Sequence, residues 1–198
     1  MSYHPDKWAK RAKTEGYLAR SAYKLLAIDR KFHIFEKGDL VLDLGSAPGS
    51  WVQVALEKIG PNGFVVGVDA EHVRLKISIN FAFLKKDIYD SDLNQNLSQT
   101  INSKFDILLS DLSPSTTGQK DIDQWRAHEL SLRALDIARR QLKIGGRAVV
   151  KVFQGPDTPE LLKFFKESFN RVNFIKPEAS NKGSKEAYII AIGFKINK

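Results

Sequence analysis

The sequence predicts a single α/β domain, a mostly parallel seven-stranded sheet with helices on both faces. Short apolar runs of strand length alternate with segments whose apolar residues recur near a 3.6-residue period, and strands of that kind build a sheet covered on both sides. The chain has 198 residues, 42% of them apolar and 27% charged, which fits one folded domain better than two. Breakers such as GPNG at 60–63 and Gly145-Gly146 punctuate the segments, and no linker, repeat or low-complexity stretch separates them.

The elements follow in order. Over 16–30, Leu18, Ala22, Leu25 and Leu26 predict a helix, with Arg20 and Lys24 one turn apart on a common side. Residues 1–30 together read as a basic helical extension at the N-terminus. LVLDL at 40–44 is a short buried strand that runs into GSAPGSW at 45–51, followed by a helix over 52–59 that GPNG ends. A second strand, 64–68, finishes at Asp69, a weaker third, 81–85, close to Asp87, and a fourth, 105–109, before Ser110, Asp111 and Pro114. The longest helical pattern, 122–142, is stopped by Gly145-Gly146. A fifth strand spans 147–153, a helix with Pro159 in its first turn spans 159–169, and strands at 171–175 and 187–194 close the domain.

Charge narrows the function. Lys and Arg number 31 against 23 Asp and Glu, a net +8, which favours an anionic partner such as nucleic acid or a membrane surface. The excess is uneven: residues 1–24 carry +4, residues 163–198 carry +5, and the middle −1. Two basic ends on a near-neutral body point to an anion-facing patch built from both termini. The absence of cysteine removes disulfides, iron–sulfur clusters, thiolate zinc and cysteine nucleophiles. His4, His33, His72 and His128 are scattered, so no metal site is expected. No apolar run approaches the ~20 residues that cross a bilayer, and the first residues lack the apolar core of a secretory signal. The expectation is a cytoplasmic, monomeric protein.

An open sheet of this kind binds ligands beyond the carboxyl ends of its strands, where Asp43 to Trp51, Asp69, Asp87, Asp111 and Lys151 fall. In DLGSAPG, Gly45 and Gly49 permit close backbone approach, and the helix that follows offers unpaired N–H groups. The turn is neither the three-glycine dinucleotide fingerprint nor a Walker loop, which disfavours NAD(P) and ATP. Asp69, about 20 residues after the turn, is placed to accept both ribose hydroxyls of an adenosine, and Asp87 an adenine amino hydrogen. Each acid alone reads equally as a helix cap or loop residue; three strand-end carboxylates in order weigh against accident. Lys151 interrupts the apolar strand VVKVF, where desolvating an ammonium is costly, although an exposed strand face or a snorkelling stem also accommodates it.

DLGSAPGSW, Asp69, KKD at 85–87, LLSDLSP at 108–114, GGRAVVKVFQG at 145–155 and SKEAYIIAIGF at 184–194 resemble the FtsJ-type (RrmJ-like) ribose 2′-O-methyltransferases. The likeness starts at RSAYKL (20–25) and covers about nine-tenths of the chain. It implies a Rossmann-like methyltransferase domain that uses S-adenosylmethionine. The family's Lys-Asp-Lys-Glu tetrad falls on Lys24, Asp111, Lys151 and Glu186. The cofactor would lie beyond Asp43, over Gly45, Ala47, Pro48, Gly49 and Trp51, with Asp69 toward its ribose, Asp87 toward its adenine and Asp111 beside its methionine part. Ser46 departs mildly from the alanine or cysteine common at its place.

A 2′-hydroxyl is a weak nucleophile, and Lys151 is the expected base, with Asp111 fixing it and steadying the positive cofactor, Lys24 positioning the ribose and the base, and Glu186 orienting Lys24 or the nucleotide. To accept a proton Lys151 must be partly neutral; burial and a second ammonium favour that form, neighbouring carboxylates oppose it. Lys7, Lys10, Arg11, Lys13 and Arg20 with Tyr3, Trp8 and Tyr17, and Lys176, Lys182 and Lys185 in the loop 176–186, are the expected RNA contacts; Trp8 and Tyr17 read equally as packing residues. Family members act on large-subunit ribosomal RNA, the tRNA anticodon loop or viral caps. The short chain looks most like the ribosomal members, whose usual target is a uridine in the A loop of large-subunit RNA. A non-catalytic RNA-binding module and a methyltransferase for small molecules or proteins are the competing classes.

Overall fold

A computed structural model describes residues 7–75, 78–115, 117–181 and 183–195. The elements in chain order are α1 (Lys7–Glu15), α2 (Ala22–Phe32), β1 (Leu40–Leu44), α3 (Ser50–Ile59), β2 (Phe64–Asp69), β3 (Phe81–Lys85), α4 (Leu93–Thr100), β4 (Phe105–Ser110), α5 (Lys120–Gln141), β5 (Leu142–Phe153), α6 (Thr158–Ser168), β6 (Phe169–Ile175) and β7 (Glu186–Phe194). Seven strands form one sheet in the order β3-β2-β1-β4-β5-β7-β6. The first five are parallel, and only β7 runs antiparallel to both its neighbours.

Alternation along the central strands divides the core in two, because successive side chains leave a strand on opposite faces. Leu42, Leu44, Leu108, Val150 and Ile189 pack with α4, α5 and α6 through Leu97, Ala134 and Phe165. Val41, Ile107, Leu109, Val149 and Ile190 pack instead with Leu25 and Ile28 of α2 and Val52 of α3. Residues 43, 151 and 188 share the second parity, so Asp43, Lys151 and Tyr188 project toward the α2–α3 side.

Strand order fixes the place of the site. Chain direction reverses its spatial progression at β1, which lies between β2 and β4, and the crevice outside the carboxyl ends at such a switch point is where open α/β sheets receive ligands. Since β7 is antiparallel, its first residue, Glu186, pairs with Phe153 at the end of β5. The start of β7 and the ends of the parallel strands therefore meet on one edge.

The structure corrects three expectations. The helix expected over 16–30 begins only at Ala22, as α2; residues 16–21, opened by Gly16 with φ of 81°, are the turn that joins it to α1, so Arg20 lies before the helix and shares no helical face with Lys24. Nor is α2 an extension: Ala22, Leu25 and Ile28 are wholly buried in the second core cluster. Its end is set by Asp29, whose carboxylate accepts the N–H groups of Ile34 and Phe35 at 3.0 and 3.3 Å and so turns the chain toward β1. Finally, Gly145-Gly146 does not stop the long helix. That helix ends at Gln141, and the glycines lie inside β5, where the pairing with β4 shifts register between Phe105 and Ile107. Gly145 has φ of 82°, and a Cβ on Gly146 would lie 2.8 Å from the Lys143 carbonyl, so the pair accommodates the irregularity.

Leu25→Ala separates the two views of α2. A core leucine should lose about 2–5 kcal/mol of stability, read from urea unfolding midpoints; a loss near zero would return α2 to the status of an appendage.

Candidate active site

The turn after β1 is shaped by backbone contacts that a side chain would obstruct. The N–H groups of Gly45 and Ser46 both donate to the Val68 carbonyl, at 2.9 and 3.2 Å. Gly45 has φ of 77°, and a Cβ there would come within 2.9 Å of Leu112. Gly49, with φ of 116°, precedes α3, and its Cβ would lie 2.7 Å from Leu75. Asp69 at the end of β2 pins the turn: its Oδ2 accepts the Ala47 N–H at 2.8 Å and its Oδ1 the Glu71 N–H at 2.8 Å. The Arg74 N–H reaches the Pro48 carbonyl at 2.9 Å, drawing the segment after β2 across the turn. Each Asp69 oxygen has a second lone pair for a hydroxyl donor.

Trp51 and Asp87 bound this region. The Trp51 side chain is 2% exposed, donates its indole N–H to the Ser21 carbonyl at 2.9 Å and packs 5.8 Å from the Tyr188 ring. Its side chain thus braces α3 against α2 and β7, which leaves the backbone of the first α3 turn for a ligand. Asp87 sits in the turn after β3, its Oδ1 accepting the Tyr89 N–H at 2.9 Å.

Asp43 is the anomaly. It is fully buried, and neither its carboxylate oxygens nor Ser46 Oγ has a hydrogen-bond partner among the described residues. Burial, followed by the negative charges of Asp111 and Asp69, pushes its carboxyl well above the usual range. Three carboxylates therefore converge at the ends of β1, β2 and β4, a field that favours a cationic ligand.

Beside them the four residues of the expected tetrad come together as two ion pairs. Lys24 Nζ meets Glu186 Oε1 and Oε2 at 2.7 and 2.8 Å, and the Ser180 hydroxyl donates to Oε1 at 2.7 Å. Lys151 Nζ donates to the Asp111 carbonyl at 2.6 Å and lies 3.2 Å from Asp111 Oδ1. Lys24 and Lys151 are only 6% and 7% exposed, so pairing is a condition of their burial. Burial raises the Glu186 carboxyl, but Lys24, the Ser180 hydrogen bond and Lys151 outweigh it, and the net direction is down.

Tyr188 joins the pairs and was not legible as a site residue. Wholly buried and directly opposite Lys151 in the β5–β7 register, it donates its hydroxyl to Asp111 Oδ1 at 2.7 Å and lies under Lys24 Nζ, 5.9 Å from the ring centroid. Burial and the charges of Asp111 and Glu186 push its phenol well above the ordinary value. The available signal was a tyrosine inside the apolar run AYIIAIGF, since a buried phenol must find a partner.

The expected RNA contacts divide. Lys7, Lys10 and Lys13 are exposed on α1. Arg11 is paired with Glu15 at 2.7 Å and laid over the Tyr23 ring at 4.8 Å. Arg20 donates to Asn181 Oδ1 at 2.8 Å and Lys185 to Gln124 Oε1 at 3.4 Å, which tethers the loop before β7 at two points. Trp8 and Tyr17 pack on Tyr23, with centroids 5.1 and 5.8 Å apart. Tyr3, His4 and Lys182 lie outside the described residues. Among the described residues no cluster of three or more His, Asp and Glu could hold a metal ion, and no helix is long and apolar enough to cross a membrane.

A switch-point crevice with a glycine turn, strand-end acids and paired lysines defines a group-transfer site on a Rossmann-like sheet. The family model for FtsJ-like methyltransferases matches residues 17–194, and the chain belongs to that family. The ribosomal RNA large subunit methyltransferase E of Syntrophobacter fumaroxidans is 43% identical over 199 residues, all of both chains. Its namesake from Methanobrevibacter smithii is 39% identical over all of this chain and 94% of its own length. Among solved structures, a putative ribosomal RNA methyltransferase from Plasmodium falciparum aligns with a TM-score of 0.79 at 29% identity, covering 90% of this chain and 98% of that one. A chain of the fibrillarin/Nop5p complex, 21% identical over 86% of this chain and 81% of its own with a TM-score of 0.62, shares the fold. The protein is accordingly an enzyme that draws on a methyl donor.

The folded state holds the Asp43 proton more tightly than the unfolded chain does. Stability therefore falls as pH rises from the unfolded carboxyl range, about 3.9, through the raised folded value. Asp43→Asn removes that loss: the ligand-free variant should exceed the parent by about 1–3 kcal/mol at pH 7, the gap narrowing toward pH 4. Denaturant midpoints at the two pH values that keep the same difference would show that Asp43 does not titrate abnormally.

Proposed function

We propose that this enzyme transfers the methyl group of S-adenosylmethionine to a ribose 2′-hydroxyl of RNA, with a uridine of large-subunit ribosomal RNA as its target. The observation that carries the reading is the pair of buried lysine–carboxylate contacts, Lys24–Glu186 and Lys151–Asp111, beside the Gly45–Gly49 turn. The printed names of the relatives support the ribosomal substrate, and the cytoplasm is the compartment that follows.

The residues fit the cofactor. Gly45 and Gly49 keep the turn free of Cβ atoms, Ala47, Pro48 and the Trp51 backbone complete its rim, Asp69 has lone pairs for the ribose hydroxyls, and Asp87 stands at the neighbouring strand end for the adenine. Asp43 and Asp111 supply negative charge where a sulfonium and an ammonium would be held. When bound, the cofactor supplies a methyl already activated on sulfur, so alignment rather than covalent catalysis is required.

Lys151 takes the proton of the 2′-hydroxyl on the lone pair of its neutral amine, having first released its own proton to solvent. Two of its hydrogen-bonding directions are engaged by Asp111, which leaves the lone pair for the substrate oxygen. Tyr188, raised well above its ordinary value, stays protonated at neutral pH; it steadies Asp111 as a donor and is no competitor for the base role. Glu186, held ionised, fixes the Lys24 ammonium, which positions the ribose. The exposed cations of α1 and Lys185 bind the RNA backbone.

Lys151→Ala should retain fold and cofactor affinity and lose about 10²- to 10⁴-fold in methyl transfer. Single-turnover rates within a few-fold of the parent, at saturating RNA and cofactor, would remove Lys151 from the mechanism.

Alkaline cleavage of RNA uses the 2′-hydroxyl as its internal nucleophile. Methyl label transferred to large ribosomal subunits or their RNA should therefore appear in an alkali-resistant dinucleotide with uridine on its 5′ side. Label wholly in mononucleotides means a base target and overturns the chemistry; label in a tRNA anticodon-loop dinucleotide keeps the chemistry and replaces the substrate.

A further inference from the structure

A second cavity lies apart from the methyl-transfer centre. Between α1, the outer side of α2 and the segment after β6 is a groove of about 410 Å³. Trp8, Arg11 and Tyr23 line it with the cations Arg30, Lys31 and Lys176, and Glu178 is the acid among its lining residues. Tyr23 and Ala179 of its lining belong with Ala12 to a small apolar cluster of their own.

Two properties of this groove suit a nucleotide. The first is a polarisable wall: the Trp8 and Tyr23 rings are 5.1 Å apart and tilted by 41°, Tyr23 is buried beneath, and the Arg11 guanidinium lies 4.8 Å over Tyr23 and 5.9 Å from the Trp8 ring. Glu15 grips Arg11 at 2.7 Å and also accepts the Tyr23 hydroxyl at 2.9 Å, so the guanidinium plane is held ready for a base to stack on, as guanidinium and aromatic planes do in RNA recognition. The second is charge, four cations against Glu178 within the lining, which suits a phosphate. The volume falls within the range of small-ligand sites, about 300–1,000 Å³, and is too small for a docked helix.

Its position ties it to the reaction centre. Tyr23 immediately precedes Lys24 on α2, and Ala179 immediately precedes Ser180, whose hydroxyl holds Glu186. The groove and the Lys24–Glu186 pair are thus built from consecutive residues on both of the segments they share.

We propose that this groove binds a nucleotide flanking the methylated one in a single RNA strand. The base lies against the Trp8 ring and the Arg11 guanidinium that covers Tyr23, and the phosphate among Arg30, Lys31 and Lys176. The subsite rests on the RNA reading of the active site and adds to it a contact away from the methyl-transfer centre.

The test uses the full chain, a fluorescent single-stranded oligoribonucleotide spanning the modified site, and the exposed double variant Arg30→Glu/Lys31→Glu. Its Kd and KM for RNA should rise about tenfold or more, and its log–log salt slope should flatten by roughly 0.7 per lost phosphate contact. Its kcat at saturating RNA and its cofactor affinity should match the parent's. In the parent, a 5-iodouridine beside the target should photocross-link to Trp8, and Trp8→Ala should weaken RNA binding without altering kcat. Unchanged KM with cross-links elsewhere, in a parent that methylates RNA, overturns the subsite and leaves the proposed function standing. A parent that neither binds nor methylates RNA overturns both. A glutamate-rich peptide that occupies the groove while RNA does not cross-link there assigns it to a protein partner and overturns the proposal.

Discussion

Two ammonium groups almost wholly withdrawn from water set the terms for the rest of this structure. An unpaired buried lysine costs several kcal/mol, so Lys24 and Lys151 can occupy their places only because carboxylates arrive from elsewhere in the chain. Glu186 comes 162 residues after Lys24, and Asp111 comes 40 residues before Lys151. Those sequence separations are closed by the sheet. With β4 and β5 parallel neighbours and β7 antiparallel beside β5, the ends of β4 and β5 and the start of β7 converge, while α2, packed through Leu25 and Ile28, delivers Lys24.

Tyr188 shows why the two pairs behave as one unit. Its hydroxyl is committed to Asp111, its ring lies beneath Lys24 and beside Trp51, and it faces Lys151 across the ladder. Displacement of either lysine therefore disturbs the surroundings of the other. Such linkage makes losses at these positions non-additive in principle, and it explains how a site built from four separate segments keeps a single arrangement.

The parts of the molecule legible in the sequence are those where local chemistry and tertiary environment agree. Strands LVLDL, FVVGV and FDILL are buried on both faces and read as apolar runs, and their carboxyl ends announced Asp43, Asp69 and Asp111. Where a residue's meaning depends on a distant partner, the sequence is silent or misleading. Gly145-Gly146 has the composition of a helix stop, yet it serves a register irregularity that only the facing β4 defines. Helix α4, LNQNLSQT, is not legible because it buries only Leu93 and Leu97, too few positions to declare a period. Arg20 and Lys24 have helical spacing, but Gly16 and the turn before α2 set them apart, and both turn instead toward the β6–β7 connection. Tyr188 reads as core because it is core; its second role lies in an oxygen that the hydrophobic pattern does not register.

The same distinction separates the two halves of the active site. The lysine half is internally satisfied: each ammonium has its carboxylate, and each arrangement is complete without substrate. The acid half is not. Among the described residues neither oxygen of the buried Asp43 has a partner, Ser46 Oγ in the turn that follows is in the same condition, and Asp111 and Asp69 add negative charge. A buried carboxyl without a partner destabilises the folded chain whether it is ionised and desolvated or protonated and unpaired. A ligand that brings positive charge and hydrogen-bond donors to this place relieves that cost, and the relief appears as binding energy. The fold thus holds one half of this candidate site in a complete arrangement and leaves the other unfinished, so that a positively charged group brought there by a methyl donor would be bound at the expense of a cost the ligand-free chain already carries.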